Sequence, residues 1–310
     1  MSSSDLAIAA LGADLDDALN LLREYHSSDS AGLTLPEPLP SLLQQCESLC
    51  AEFAPAEPIR SIHHLACAGG SLISKCIAAL PNVVLLSEID PLSRMQVAAP
   101  GTKPPFAPTD IIRALYHATR SGTDDMVIEL FRAAVASLRQ QLPLRGLRLV
   151  LRDHPHSHFC TDAPPESRPT VHELLVETFA LRSVITVRHP LDSFLSLDNN
   201  NWRHFHPFTL EEYARRYIAF LDRHQGLPIV SYETFVLSPN PTLEEICGHL
   251  ALDFHPLAAE LIGVIRISGD SGRSSAAIGP RPRRQVPEVI ERQRTSDVYR
   301  DLCARLEYET

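Results

Sequence analysis

Two stretches of this sequence carry residues suited to gripping an anion. In the first, Gly69 and Gly70 are followed by Ser71, Leu72 and, three positions on, Lys75. A glycine pair lets the backbone approach a ligand, and where a helix opens its first-turn amides point at negative charge. The stretch lacks the full Gly-x-x-x-x-Gly-Lys-Ser/Thr form of a nucleoside-triphosphate loop, because Cys76 follows Lys75. Alone, it reads equally as a tight strand-to-helix turn. In the second stretch, Arg188 is followed by Pro190, Asp192 and, eight residues after the arginine, Ser196. An arginine can hold one phosphate through two parallel bonds, and a serine adds a hydroxyl. The competing reading is an Arg188–Asp192 clamp at a helix start. This spacing is more specific than the glycine pair.

A third stretch offers proton-transfer chemistry. Asp153, His154, His156, His158 and Cys160 lie in one short run. An imidazole is the side chain best poised near neutral pH to deprotonate a hydroxyl within hydrogen-bond reach. His154, just after a strand, fits best and His156 next, with Asp153 able to orient a ring. Glu88, at the end of another strand, is the rival base; its structural alternative is a turn or helix cap. The His-x-His-x-His-x-Cys alternation also admits a metal site on one side of an extended segment. Neighbouring ligands on one strand seldom complete a tetrahedron without distant partners. His63 and His64 are read as structural, since at least one of two adjacent strand residues must face a core.

These residues need elements to hold them. Apolar runs at 60–67, 82–87, 148–152, 181–187 and 227–231 read as strands. Between them lie helical patterns, from Leu72 to about Leu80, in two pieces across 109–142 joined near Gly122, over Phe208–Arg223 and over Thr242–Leu250. Continuous apolar strands alternating with helices predict a three-layer α/β fold with a central five-stranded parallel sheet. Residues 1–58 read as an N-terminal helical extension, broken by the Pro-rich run near residue 36, ahead of a main domain at 59–310. The Gly/Ser/Pro/Arg stretch 268–287 reads as a long functional loop.

Composition narrows the classes. The chain has 310 residues and a formal net charge of −10, which argues against nucleic acid as a partner by bulk electrostatics. Against that background, 266–294 holds seven arginines and three acidic residues, a basic island suited to a local anion. Seven scattered cysteines read as reduced thiols, and the first residues show neither a basic leader nor an apolar span. The expectation is a cytoplasmic protein without a membrane partner, with self-association left open.

The glycine loop on the first strand and the Arg188–Ser196 segment on a later one resemble, in that order, the 5′-phosphosulfate loop and 3′-phosphate motif of sulfotransferases that use 3′-phosphoadenylyl sulfate (PAPS). Ser231-Tyr232-Glu233-Thr234-Phe235, with the helix after it, is similar to the family's Tyr-Glu-Asp-Leu segment. The likeness spans about 59–310 and is nearer to bacterial sulfotransferase-like proteins than to the steroid and phenol enzymes. It implies a P-loop-type fold and PAPS as co-substrate, with a small-molecule acceptor. Gly69, Gly70, Ser71 and Leu72 would wrap the phosphosulfate, Arg188 and Ser196 would hold the 3′-phosphate, and Tyr232 would approach the base. Arg273, Arg281 or Arg283 would close a basic loop over the donor. His154, His156 or Glu88 would serve as base. Many family members carry Lys or Arg just before the glycine pair, where this chain has Ala68. That departure keeps a non-catalytic nucleotide-binding protein as an alternative, beside a divergent P-loop kinase. No metal is required by the transfer.

Overall fold

The computed structural model describes residues 12–21, 23, 41–42, 44–45, 56–95, 106–119, 121–269 and 277–310. The chain divides into two units, Met1–Ala56 and Glu57–Thr310. In the first, residues 12–21 are helical.

The apolar runs form five strands, β1 (Ile59–His63), β2 (Val83–Ile89), β3 (Arg148–Asp153), β4 (Leu181–Val187) and β5 (Ile229–Ser231). They make one parallel sheet in the order β2-β3-β1-β4-β5. The helices are α1 (Gly70–Ala78), α2 (Ile111–Ala118), α3 (Asp124–Gln141), α4 (His156–Phe159), α5 (Val171–Val176), α6 (Pro190–Asn199), α7 (Leu210–Arg223), α8 (Tyr232–Leu237), α9 (Pro239–Leu250), α10 (Glu288–Glu291) and α11 (Asp297–Arg305). Strand periodicity assigns the faces. Ile62, Val150, Val184 and Val230 pack against Leu72, Ile73 and Ile77 of α1 and Leu243 and Ile246 of α9. On the opposite face, Ile59, Leu149 and Leu151 meet Phe131 and Val135 of α3 and Leu175 of α5. There too, Ile185 and Val187 meet Tyr213, Tyr217 and Phe220 of α7. The three layers expected from the sequence are therefore present. Burial on both faces is why the strands read as unbroken apolar runs. Among the described residues, no helix is long and apolar enough to cross a membrane.

Strand β1 is shorter than its apolar run, ending at His63, after which the chain turns and α1 starts at Gly70. Strand order reverses at β1: one connection leaves it to skip past β3, and the connection from β3 crosses it to reach β4. Open parallel sheets bind ligands in the crevice beyond the strand ends at such a switch point. The glycine loop follows β1 and Arg188 follows β4, so both lie there.

One ion pair anchors the segment carrying His154 and His156. Asp90, just beyond β2, accepts from Arg168 at 2.7 and 2.6 Å through both carboxylate oxygens, and from Ser157 in α4. Burial works to raise its carboxyl, but Arg168 and Ser157 outweigh it and hold it below the usual carboxylate range. Arg168→Ala leaves a carboxylate that is only 3% exposed without its cation. We expect a loss of about 3–5 kcal/mol at neutral pH. A lowered carboxyl contributes stability that is present above its ordinary value and lost as pH falls through the folded one. The gap between wild type and variant should therefore narrow below about pH 4. Urea denaturation across that range checks both.

Candidate active site

The loop from β1 to α1 passes through the left-handed region at Cys67 (φ 63°) and Gly69 (φ 81°). Close approach, as much as backbone conformation, requires both glycines. A Cβ on Gly69 would lie 2.2 Å from the Tyr232 ring, and one on Gly70 would lie 1.9 Å from the His64 ring. Ala68 is fully buried, so this position brings no charge to the loop.

A cavity of about 670 Å³ opens beside the loop, lined by Gly69, Ser71, Leu72, Arg188, Ser196, Tyr232 and Arg281 among others. The Arg188 guanidinium lies 5.0 Å from the Tyr232 ring centre, and its Nη1 donates to the Cys67 carbonyl at 3.3 Å and to Ser196 Oγ at 3.4 Å. Arg188 does not clamp Asp192. Arg283 does so instead, donating at 2.9 and 3.3 Å. Lys75 also lines the cavity and is buried. Arg266, Arg283 and Arg284 complete the lining cations, against Asp192 and Glu233. Glu233 is engaged elsewhere, accepting from the His189 backbone at 3.1 Å and from the Tyr308 hydroxyl at 2.6 Å. The sequence reading gave Arg266 and Arg284 no individual role, although the basic island contains both. Arg273 lies outside the described residues.

A second cavity, of about 810 Å³, meets the first at Cys67, Gly69 and Ser71. Its walls include Leu86, Met95, Ile112, Tyr116, Phe131 and Val135, and at its junction with the loop stand Gly70, Glu88, His154 and His156. The strand β2 shifts register between Leu86 and Ile89, and Glu88 takes a left-handed conformation (φ 62°) within that irregularity. A bulge re-aims a side chain. Here it turns the carboxylate to His154 Nε2 at 2.9 Å and Arg152 Nη1 at 2.6 Å. Burial opposes the charge on Glu88, yet the His154 hydrogen bond and the Arg152 guanidinium hold its carboxyl below the ordinary range. His156 contacts His204 Nδ1 at 3.0 Å. Burial, with His154 and His204 nearby, pushes its imidazole down to about 3, so it is neutral and weakly basic.

Arg152 is the residue that sequence reading missed. It is the penultimate residue of β3, is 3% exposed, and donates to His64 Nε2, Ser87 Oγ, Ser71 Oγ and the Ser268 carbonyl at 2.8–2.9 Å. A charged residue directly after the apolar run Leu149–Leu151 was the available signal. The segment Ser268–Gly269 lies over the junction: Ser268 Oγ donates to the Ser87 carbonyl at 3.0 Å and Ser71 Oγ donates to the Gly269 carbonyl at 3.0 Å.

The His-rich run is not an extended strand. Pro155 starts the short helix α4, which scatters the alternation. His158 Nε2 pairs with the Pro165 carbonyl at 2.7 Å, and Cys160 is buried in the core with its thiol pushed up to about 12 by that burial. His154, His156, His158 and Cys160 therefore do not converge on a metal. Among the described residues a different trio, His63, Asp153 and His224, does draw together.

No family model matches the sequence, and no curated protein does. Solved structures do. The sulfotransferase domain of the olefin synthase from Synechococcus PCC 7002 is 17% identical and aligns over 83% of this chain and 97% of its own, with a TM-score of 0.50. The sulfotransferase domain of the curacin biosynthetic pathway (15% identical, 83% and 99% covered) scores 0.45. A sulfotransferase from Alicyclobacillus acidocaldarius (14%, 83% and 98%) scores 0.43. The chain has the sulfotransferase fold, as the resemblance in its motifs implied.

Gly70→Ala should force His64 off Arg152 Nε. Overpacking at such a contact costs about 1–3 kcal/mol. Gly69→Ala adds the left-handed penalty of about 1–2 kcal/mol. Chemical denaturation of the two variants, with Gly248→Ala in open space on α9 as the control, measures both.

Proposed function

We propose that this protein transfers a sulfuryl group from PAPS to a hydroxyl or amine of a small acceptor. The observation that carries the reading is the meeting of two unlike cavities over one glycine loop. One is lined by cations, and the other has apolar walls and a carboxylate–imidazole pair at its inner end. The donor's nucleotide suits the first. Arg188 and Ser196, side by side, suit its 3′-phosphate, and Tyr232 its base. The amides and hydroxyl of Gly69, Gly70, Ser71 and Leu72 suit its phosphosulfate. An acceptor suits the second.

The transfer is an in-line displacement. The acceptor oxygen or nitrogen forms a bond to sulfur, and the bond from sulfur to the bridging phosphate oxygen breaks. The acceptor's proton goes to His154, and the leaving group is adenosine 3′,5′-bisphosphate. Glu88, holding His154 Nε2, fixes the ring with Nδ1 free to take that proton and stabilises the imidazolium that results. His156, neutral and tied to His204, packs the same wall. Charge growing on the leaving oxygen needs a preorganised donor. With alanine at position 68, that task falls to Arg152, which already reaches Ser71 of the loop. The divergent-kinase alternative is disfavoured by the Lys75-Cys76 pair.

Adenosine 3′,5′-bisphosphate should raise the melting temperature, and ATP with Mg²⁺ should not; the opposite pattern would overturn the assignment. Arg188→Ala should weaken bisphosphate binding by roughly 10–100-fold, the worth of hydrogen bonds to a charged group. His154→Ala should remove turnover in a labelled-sulfate acceptor screen while leaving that binding intact. Calorimetry and the screen separate the two roles.

A further inference from the structure

Beneath the strand ends that carry the base lies a cluster of imidazoles with no part in the transfer. His63 closes β1 and Asp153 closes β3, and the parallel register, with Ile62 opposite Arg152, sets them side by side. His224 follows the last turn of α7. All three are buried, and one ligand-capable atom of each lies within 4.8 Å of the other two.

The rings are already oriented. His224 Nδ1 lies 2.8 Å from the Phe220 carbonyl, which can only accept, so this nitrogen carries the proton and Nε2 keeps a lone pair. That Nε2 is buried without a hydrogen-bond partner. His63 Nε2 lies 2.9 Å from Ser61 Oγ, which reaches Ser183 Oγ at 2.8 Å, while His63 Nδ1 faces Asp153 Oδ2 at 2.8 Å. Carbonyl and hydroxyl partners on the outer nitrogen are the usual means of fixing a metal-binding imidazole. Burial pushes His63 and His224 down to about 3, so both are neutral, as a metal requires.

We propose that His63 Nδ1, His224 Nε2 and a carboxylate oxygen of Asp153 hold a divalent transition-metal ion, zinc by the chemistry of the set. Bonds of about 2.0–2.2 Å require ligand atoms about 3.3 Å apart, which side-chain shifts of about 1 Å supply. His172 brings a third imidazole, its ring centre 5.6 Å from that of His63 and 6.0 Å from that of His224, and is the candidate fourth ligand. The site is closed and so is structural. It staples the roots of two functional loops, since His64 and His154 are the next residues along.

The full-length protein, grown with zinc and purified without chelator, should carry stoichiometric zinc by plasma mass spectrometry. Refolded with Co²⁺, it should show the visible bands of a tetrahedral nitrogen–oxygen site. Ser61→Ala keeps every ligand and should weaken zinc by roughly 10–100-fold in chelator competition. His224→Phe should abolish stoichiometric zinc. Substoichiometric zinc in the wild type, or an affinity unmoved by Ser61→Ala, overturns the proposal. These two readouts decide it even where His224→Phe does not fold.

Discussion

A guanidinium cannot be buried without partners, and Arg152 is nearly inaccessible to water. Its donors reach a ring from the β1 loop, a hydroxyl and a carboxylate from β2, a hydroxyl from α1 and a carbonyl from the basic loop. Each partner is thereby held to within hydrogen-bond tolerance of one planar, rigid group. Glu88 leaves the strand register to meet it. Gly70 has no side chain because the ring that accepts from Arg152 fills that space. The junction of the two cavities is laid out around this cation.

Sheet order supplies the rest of the geometry. With β1 central and its neighbours reached in opposite directions, the β1 and β4 loops open a crevice between them. The helices that follow present their N-termini to it, and the basic loop returns from far along the chain to line it. An acidic protein thus concentrates positive potential in one cleft, where low-dielectric walls strengthen it.

Legibility in the sequence followed distance along the chain. Arg188 lies two residues before α6 and Ser196 in its second turn, so their short spacing already disclosed the contact. The glycine pair was legible for the same local reason. The partners of Arg152 lie at 64, 71, 87, 88 and 268, and no spacing rule joins them. Asp192 shows the limit of local spacing: the competing clamp to its sequence neighbour Arg188 does not form, and Arg283 arrives from the basic loop instead. The alternation of the histidines does not put them on one side, because a helix begins at His156 after Pro155 and turns a period of two into a rotation of about 200°. The strand assigned to 60–67 overran because the turn after His63 is itself apolar, and apolar character does not distinguish a buried turn from a strand.

Ser71 belongs to both cavities, and its hydroxyl donates to the Gly269 carbonyl in a segment that itself lines the second. A ligand that takes this hydroxyl in one cavity must compete with that carbonyl, and so biases the position of the other cavity's wall. The two cavities cannot then fill independently. Linkage makes the effect reciprocal: whatever one occupant does to the affinity for the second, the second does equally to the first. The coupling between the two occupants is in this sense written into a single serine.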